Sequence, residues 1–191
     1  GFVKGFEEDV YNFEYDSVGD LYIGSKKKGL FKTNYKIFNN HDEPIYNTSN
    51  EFIEDETSHA YVAKIDNKIY VGTNSGLYCM KGLKWEKADL GHKNHLEYGI
   101  HRIKQFSNNK VWMVTYNNDN IFDYEVGYST KENDGYVWHP EDFKNYADEL
   151  IHATYIDKNE TVWLGGVKNI FRYDPDFKKR EKSDFFTLLR K

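Results

Sequence analysis

Asp16-Ser17-Val18-Gly19-Asp20-Leu21-Tyr22-Ile23-Gly24-Ser25 joins a polar turn to an aromatic-centred strand that ends on glycine. The phrase returns as Asp66-Asn67-Lys68-Ile69-Tyr70-Val71-Gly72-Thr73, as Ser107 to Thr115 around Trp112, and as Asp157 to Gly166 around Trp163. The anchors Tyr22, Tyr70, Trp112 and Trp163 stand 48, 42 and 51 residues apart. Three copies are followed by a second phrase: Gly29-Leu30-Phe31-Lys32, Gly76-Leu77-Tyr78 and Asn169-Ile170-Phe171-Arg172. A period of roughly 40 to 50 residues with several short strands per unit marks propeller blades. The expected fold is all-β: four four-stranded antiparallel units, near 9–38, 58–88, 99–139 and 150–182, forming part of a larger propeller.

Alternation and turns resolve each unit. In the second, Tyr61 to Ile65 is followed by the Asp66-Asn67 hairpin turn, whose residues tolerate positive φ. Lys68 to Gly72, Leu77 to Met80 and Leu83 to Lys87 complete it. First strands are expected at Tyr11–Tyr15, Ile100–Phe106 and Ile151–Ile156, and outer strands near Tyr35–Phe38, Gly135–Trp138 and Lys179–Lys182. Gly24, Gly72 and Gly165 stand where a side chain would crowd the turn or the next blade, and Gly29 and Gly76 supply turn conformations. The four aromatic anchors suit the gaps between blades. Unit three departs from the pattern, with Val114 in place of glycine and Tyr116 to Asn120 in place of the short Gly-Leu turn. A helical turn is expected within 139–149, and Asn39 to Thr57 reads as a polar insertion.

The composition narrows the function. Of 191 residues, 17% are aromatic, which suits half-buried pleated surfaces. The formal charge is −5 and the basic residues form no stripe, so nucleic acid is not an expected partner. Cys79 is a lone cysteine in an apolar strand and is read as a small buried hydrophobe. No apolar run reaches the roughly 18 residues of a bilayer span. Gly1 is not an initiator residue, so the chain reads as an excised piece.

No nucleophile elbow, phosphate loop or zinc-protease helix is present. His59, His101 and His152 each precede their blade aromatic by eleven residues, the pattern of three inward imidazoles that could hold a metal. Counting from the hairpin turns instead puts Tyr61, Arg102 and His152 in register, which dissolves the ring. Neither metal nor other cofactor is therefore expected, and no carboxylate pair stands out as catalytic. Propellers present the loops at one channel end as a polar, aromatic cup. The residues expected to contribute ligand contacts are His101, Arg102, Tyr116, Asn117, Asn118 and His152, an amphipathic set suited to carbohydrate.

The stretch Asp16 through Phe31 resembles the two-component regulator propeller repeat, Asp-x-x-Gly-x-Leu-Tyr/Trp-Ile-Gly-Ser/Thr followed by Gly-Leu-Phe. Asp66 through Tyr78 fits nearly as well, Asp157 through Tyr173 with changes, and Ser107 through Tyr124 poorly. The tail Ser183 to Lys191 is similar to the opening strand of the immunoglobulin-like domain that commonly follows the last blade in that family. The resemblance implies the periplasmic sensor region of a membrane-bound hybrid histidine kinase of Bacteroides type, detecting oligosaccharides. The fragment itself would be non-enzymatic, and its partners would be the remaining blades and the immunoglobulin-like domain of the parent receptor. Alternatives are a propeller lyase or glycan hydrolase, and a protein-docking scaffold. An open arc of blades would leave raw faces that promote self-association.

Overall fold

The computed structural model describes residues 9–38, 44–51, 59–92, 98–107, 109–120, 123–140 and 151–174. The fold is all-β, a succession of propeller blades, each an antiparallel meander. Blade 1 contains β1 (Val10–Tyr15), β2 (Leu21–Ser25), β3 (Leu30–Phe38) and β4 (Pro44–Glu51). Blade 2 contains β5 (Ala60–Ile65), β6 (Lys68–Thr73), β7 (Gly76–Lys81) and β8 (Lys84–Lys87). Blade 3 contains β9 (Tyr98–Ser107), β10 (Lys110–Asn117), β11 (Tyr124–Glu132) and β12 (Gly135–His139). Blade 4 shows β13 (Ala153–Ile156), β14 (Val162–Gly165) and β15 (Ile170–Tyr173). Within each blade the strands pair in chain order, so β1, β5, β9 and β13 are the inner strands.

Turn chemistry explains the phrase that repeats. Asp16 Oδ1 accepts from the backbone N–H groups of Val18 and Asp20, and Asp157 Oδ1 does the same for Asn159 and Thr161. The aspartate is thus the clasp of a longer turn between first and second strands. Unit two uses a two-residue turn instead, with Asp66 and Asn67 at φ 48° and 61°. Gly29 and Gly76, at φ 73° and 113°, open the third strands as expected.

The cores lie between blades. Tyr22 and Leu30 of blade 1 pack with Ala60, Val62, Ile69, Val71 and Tyr78 of blade 2. Ala63, Ile65 and Leu77 meet Ile100, Ile103, Val111 and Met113 across the second seam. Trp112, Val114 and Val126 meet Ile151, Val162, Leu164 and Tyr173 across the third. Tyr22 and Trp112, 2% and 1% exposed, fill these gaps as their recurrence implied. Trp163 is half-buried, on the face of blade 4 turned away from blade 3, with Arg172 over its ring.

The seams also explain two glycines. A Cβ on Gly72 would sit 2.6 Å from Ile100 Cγ2, and one on Gly24 would collide with the Ala60 carbonyl. Both lie under the lead-in to the next blade's inner strand. Gly165 meets only Ala153 of its own blade, at 3.3 Å. Among the described residues no apolar cluster joins blade 4 to blade 1. Asn12 adds a polar tie to the first seam, accepting from Val62 N–H at 2.9 Å and donating to Val62 C=O at 2.5 Å.

Four expectations need correction or fall outside the described residues. The outer strand of blade 1 is Pro44–Glu51, inside the segment read as an insertion, while Tyr35–Phe38 continues β3. Proline opens this edge strand, where no N–H is required of it. The expected strand at Lys179–Lys182, most of the expected helical turn and the 183–191 tail lie outside the described residues.

Candidate functional site

At the edge where the inner strands begin, side chains from all four blades converge. Tyr11 stands near the start of β1, His59 just before β5, and His152 just before β13. Blade 3 supplies His101 and Arg102 from β9, Tyr116 from the end of β10, and Tyr124 from the start of β11. The ring of His59 lies 6.2 Å from Tyr11 and 6.0 Å from Tyr116, centre to centre. Tyr124 lies 6.2 Å from Tyr116 and 6.0 Å from His101. Arg102 completes the cluster: its guanidinium is 4.9 Å from the Tyr61 ring and 5.5 Å from the Tyr11 ring, and Nη2 donates to the His152 carbonyl at 3.2 Å.

Local backbone features set this arrangement. Tyr116 pairs across the ladder with Gly99, and its ring occupies the space where a Cβ on that residue would project. Glycine there lets the tyrosine lie over β9. The register of β9 on β10 slips one residue later: Arg102 faces Val114 and Ile100 faces Thr115, leaving His101 as the extra residue of a bulge. A bulge re-aims side chains and is common beside functional sites.

Burial keeps the cluster largely uncharged. It lowers His101 from 6.5 to about 4, with Arg102, His59 and His152 acting in the same direction. Burial and Arg102 also lower His59, against the hydrogen bond to the Ile100 carbonyl. Tyr61, Tyr116 and Tyr124 are all raised by burial. At neutral pH His59 and His101 are therefore neutral imidazoles and Tyr61, Tyr116 and Tyr124 neutral phenols beside the Arg102 guanidinium. His101 Nε2 is buried and meets no hydrogen-bond partner.

Of the expected contributors, His101, Arg102, Tyr116 and His152 come together here. Asn117 is engaged within the loop itself and Asn118 with blade 2. Asn117 Oδ1 accepts from Asp119 N–H, and Asn118 Nδ2 donates to the Asn74 carbonyl of blade 2. His152 is not level with Arg102: Gly165, the counterpart of Val114 and Gly72, pairs with Ala153, one residue on. Conversely, His59, His101 and His152 do share one edge, close enough for His101 to feel both others. Among the described residues no trio of His, Cys, Asp or Glu has the geometry of a metal site. Tyr11, His59, Tyr61 and Tyr124 lie outside the expected set of ligand contacts, although His59 shares the eleven-residue spacing of His101 and His152 and Tyr61 the turn register of Arg102. The signal available for Tyr124 was its mirror position to Tyr116 across the odd loop of blade 3.

A surface depression of about 740 Å³ lies instead at the outer edge of blade 3, lined by Asp89, Gly91 and Glu132 to Val137. It is open and bears three carboxylates, Asp89, Glu132 and Asp134, without the converging aromatic rings of the cup. The inner-strand cluster is the better candidate because it draws on every blade. No described helix is long and apolar enough to cross a membrane.

No family model and no curated protein matches the chain. Two similar solved structures are of the extracellular domain of BT4673 from B. thetaiotaomicron. One, described as a hybrid two-component system, is 19% identical with a TM-score of 0.48, over 92% of this chain and 27% of that one. The other, described as a one-component system, is 18% identical with a TM-score of 0.47, over 88% of this chain and 27% of that one. The chain thus spans about a quarter of the length of the structures it matches.

Proposed function

We propose that this chain is a ligand-sensing propeller segment of an extracytoplasmic, periplasmic two-component receptor, non-enzymatic in itself, and that its ligand is an oligosaccharide. The carrying observation is the cup of Tyr11, Tyr116 and Tyr124 with His59, His101 and Arg102, built across several blades at one edge. Sugars stack their apolar faces on such rings while imidazoles and a guanidinium take the hydroxyls. The family resemblance of the Asp16 to Phe31 phrase supplies the receptor context. For sensing, the ligand must favour one arrangement of blades over another, and a site shared between blades meets that requirement.

The test is a glycan-array screen followed by calorimetry, on this chain and on Tyr116→Ala. Binding of at least one glycan, weakened roughly tenfold or more by the substitution, supports the proposal. Absence of glycan binding, or turnover of a bound glycan, overturns the sensing or the non-enzymatic part respectively.

A further inference from the structure

Charge on the inner strands runs against charge on the whole chain. The formal net charge is −5. Yet the charged residues of β1, β5, β9 and β13 are Glu14, Lys64, Arg102 and Lys104, three cations against one carboxylate. Glu14 sits within electrostatic reach of both lysines and offsets one of them, so the inner strands keep two uncompensated cations, one of them Arg102 at the cup. In a cleft with low-dielectric walls such an excess is focused toward the opening.

Two groups in the cup are open to a ligand: Arg102, which keeps further N–H donors beyond its one bond to a carbonyl, and His101, whose Nε2 is buried without a partner. Arg102 spends Nη2 on the His152 carbonyl and lies over the Tyr11 and Tyr61 rings. Guanidinium has five N–H donors in a flat fork matched to a carboxylate. Next to it in the chain, His101 carries a buried Nε2 with no hydrogen-bond partner. Buried polar atoms are nearly always paired, so an orphan in a cup is a place for a ligand atom. The bulge at His101 is what presents these consecutive residues to one site.

Resting on the sensing function proposed above, we infer that the ligand is an acidic oligosaccharide, whose carboxylate is held by Arg102 and His101 while its rings stack on Tyr116 and Tyr124. Charge-assisted hydrogen bonds to a guanidinium are the strong ones. The neutral rings around it compete neither for the anion nor with it.

The experiment is calorimetric titration with a panel of uronate oligosaccharides of varied sugar and linkage, each alongside its carboxyl-reduced, neutral counterpart. The expected result is binding of at least one acidic member roughly tenfold or more tighter than its reduced partner. Arg102→Gln is expected to abolish that preference, and Arg102→Lys to keep part of it, with thermal melts confirming that both fold. Reduced members binding as tightly as acidic ones, or a preference that survives Arg102→Gln in a folded variant, overturns the inference. Binding confined to neutral glycans sinks this inference and leaves sensing standing. If no glycan binds, acidic or neutral, both fall.

Discussion

Alanine at Gly72 would place a methyl group 2.6 Å from Ile100 Cγ2 and 2.7 Å from Ile100 Cβ. Carbon atoms in contact prefer about 3.5–4.0 Å, so the second seam would have to open by roughly 1 Å. Overpacking of this kind costs about 1–3 kcal/mol. At about 2–4 °C per kcal/mol for a chain of this size, Tm should fall by roughly 2–12 °C. Gly24→Ala should cost at least as much, because the obstacle there is the backbone carbonyl of Ala60 rather than a side chain that can turn away. Gly165→Ala is the control, since only Ala153 Cβ stands near, at 3.3 Å. Reduced freedom of the unfolded chain there offers about 0.4–1 kcal/mol against a few tenths of an ångström of adjustment. Its Tm should stay within about 3 °C of the parent. None of these glycines has positive φ, so space and not backbone conformation separates the cases. Paired thermal and urea melts of the three variants decide it. Equal losses at Gly165 and Gly72 would refute the claim that the next blade, and not the strand itself, demands the glycine.

Two further outcomes can be checked on the same protein. Because His101 titrates near 4 when folded and near 6.5 when unfolded, the unfolded chain binds the extra proton between those values. Stability should therefore fall as pH drops from about 6.5 to 4, by roughly 3 kcal/mol or less from this residue, and His101→Asn should flatten that part of the profile in urea melts. Val10, Phe13 and Tyr15 are exposed on blade 1, and Tyr155, at 63%, and Ile170, at 71%, on blade 4. Light scattering at tens of micromolar should show self-association that Tyr155→Lys with Ile170→Lys suppresses. A monodisperse parent at that concentration would count against it.

The repeat carried most of the fold because the same physical demand recurs: an aspartate to close a turn, an aromatic ring for a seam, a glycine where the next blade sits. The outer strand of blade 1 was not legible, since Pro44 to Glu51 is polar and opens on proline, and an edge strand asks little else of its sequence. The cup was half legible. Arg102 and Tyr116 stand out as odd residues in unit three, and Tyr11 and His59 share with His101 the eleven-residue offset from the blade aromatic, but Tyr124 and Tyr61 fall outside that spacing. Only the packing of blades across two seams brings them together. The bulge at His101 shifts the count by one, and no local pattern in Gly99-Ile100-His101-Arg102 announces it. Where hairpin lengths differ between units, as between β13 and β14, counting from turns misplaces His152 by the same single residue.

Because the apolar cores lie between the sheets and not within them, the blades behave like the leaves of a fan pinned along the inner strands. Strands spaced about 4.7–4.9 Å apart put the fourth strand of a blade roughly 14 Å from the first. A change of about 5° in the angle at one seam then moves the outer rim by roughly 1 Å, while the rings at the pinned edge barely shift. The ligand proposed for the cup, gripping Tyr11 and Tyr124 from opposite sides of two seams, would act on the short arm of that lever. The long arm ends at the exposed strands β8 and β12, and displacement is there to be read by whatever lies against them.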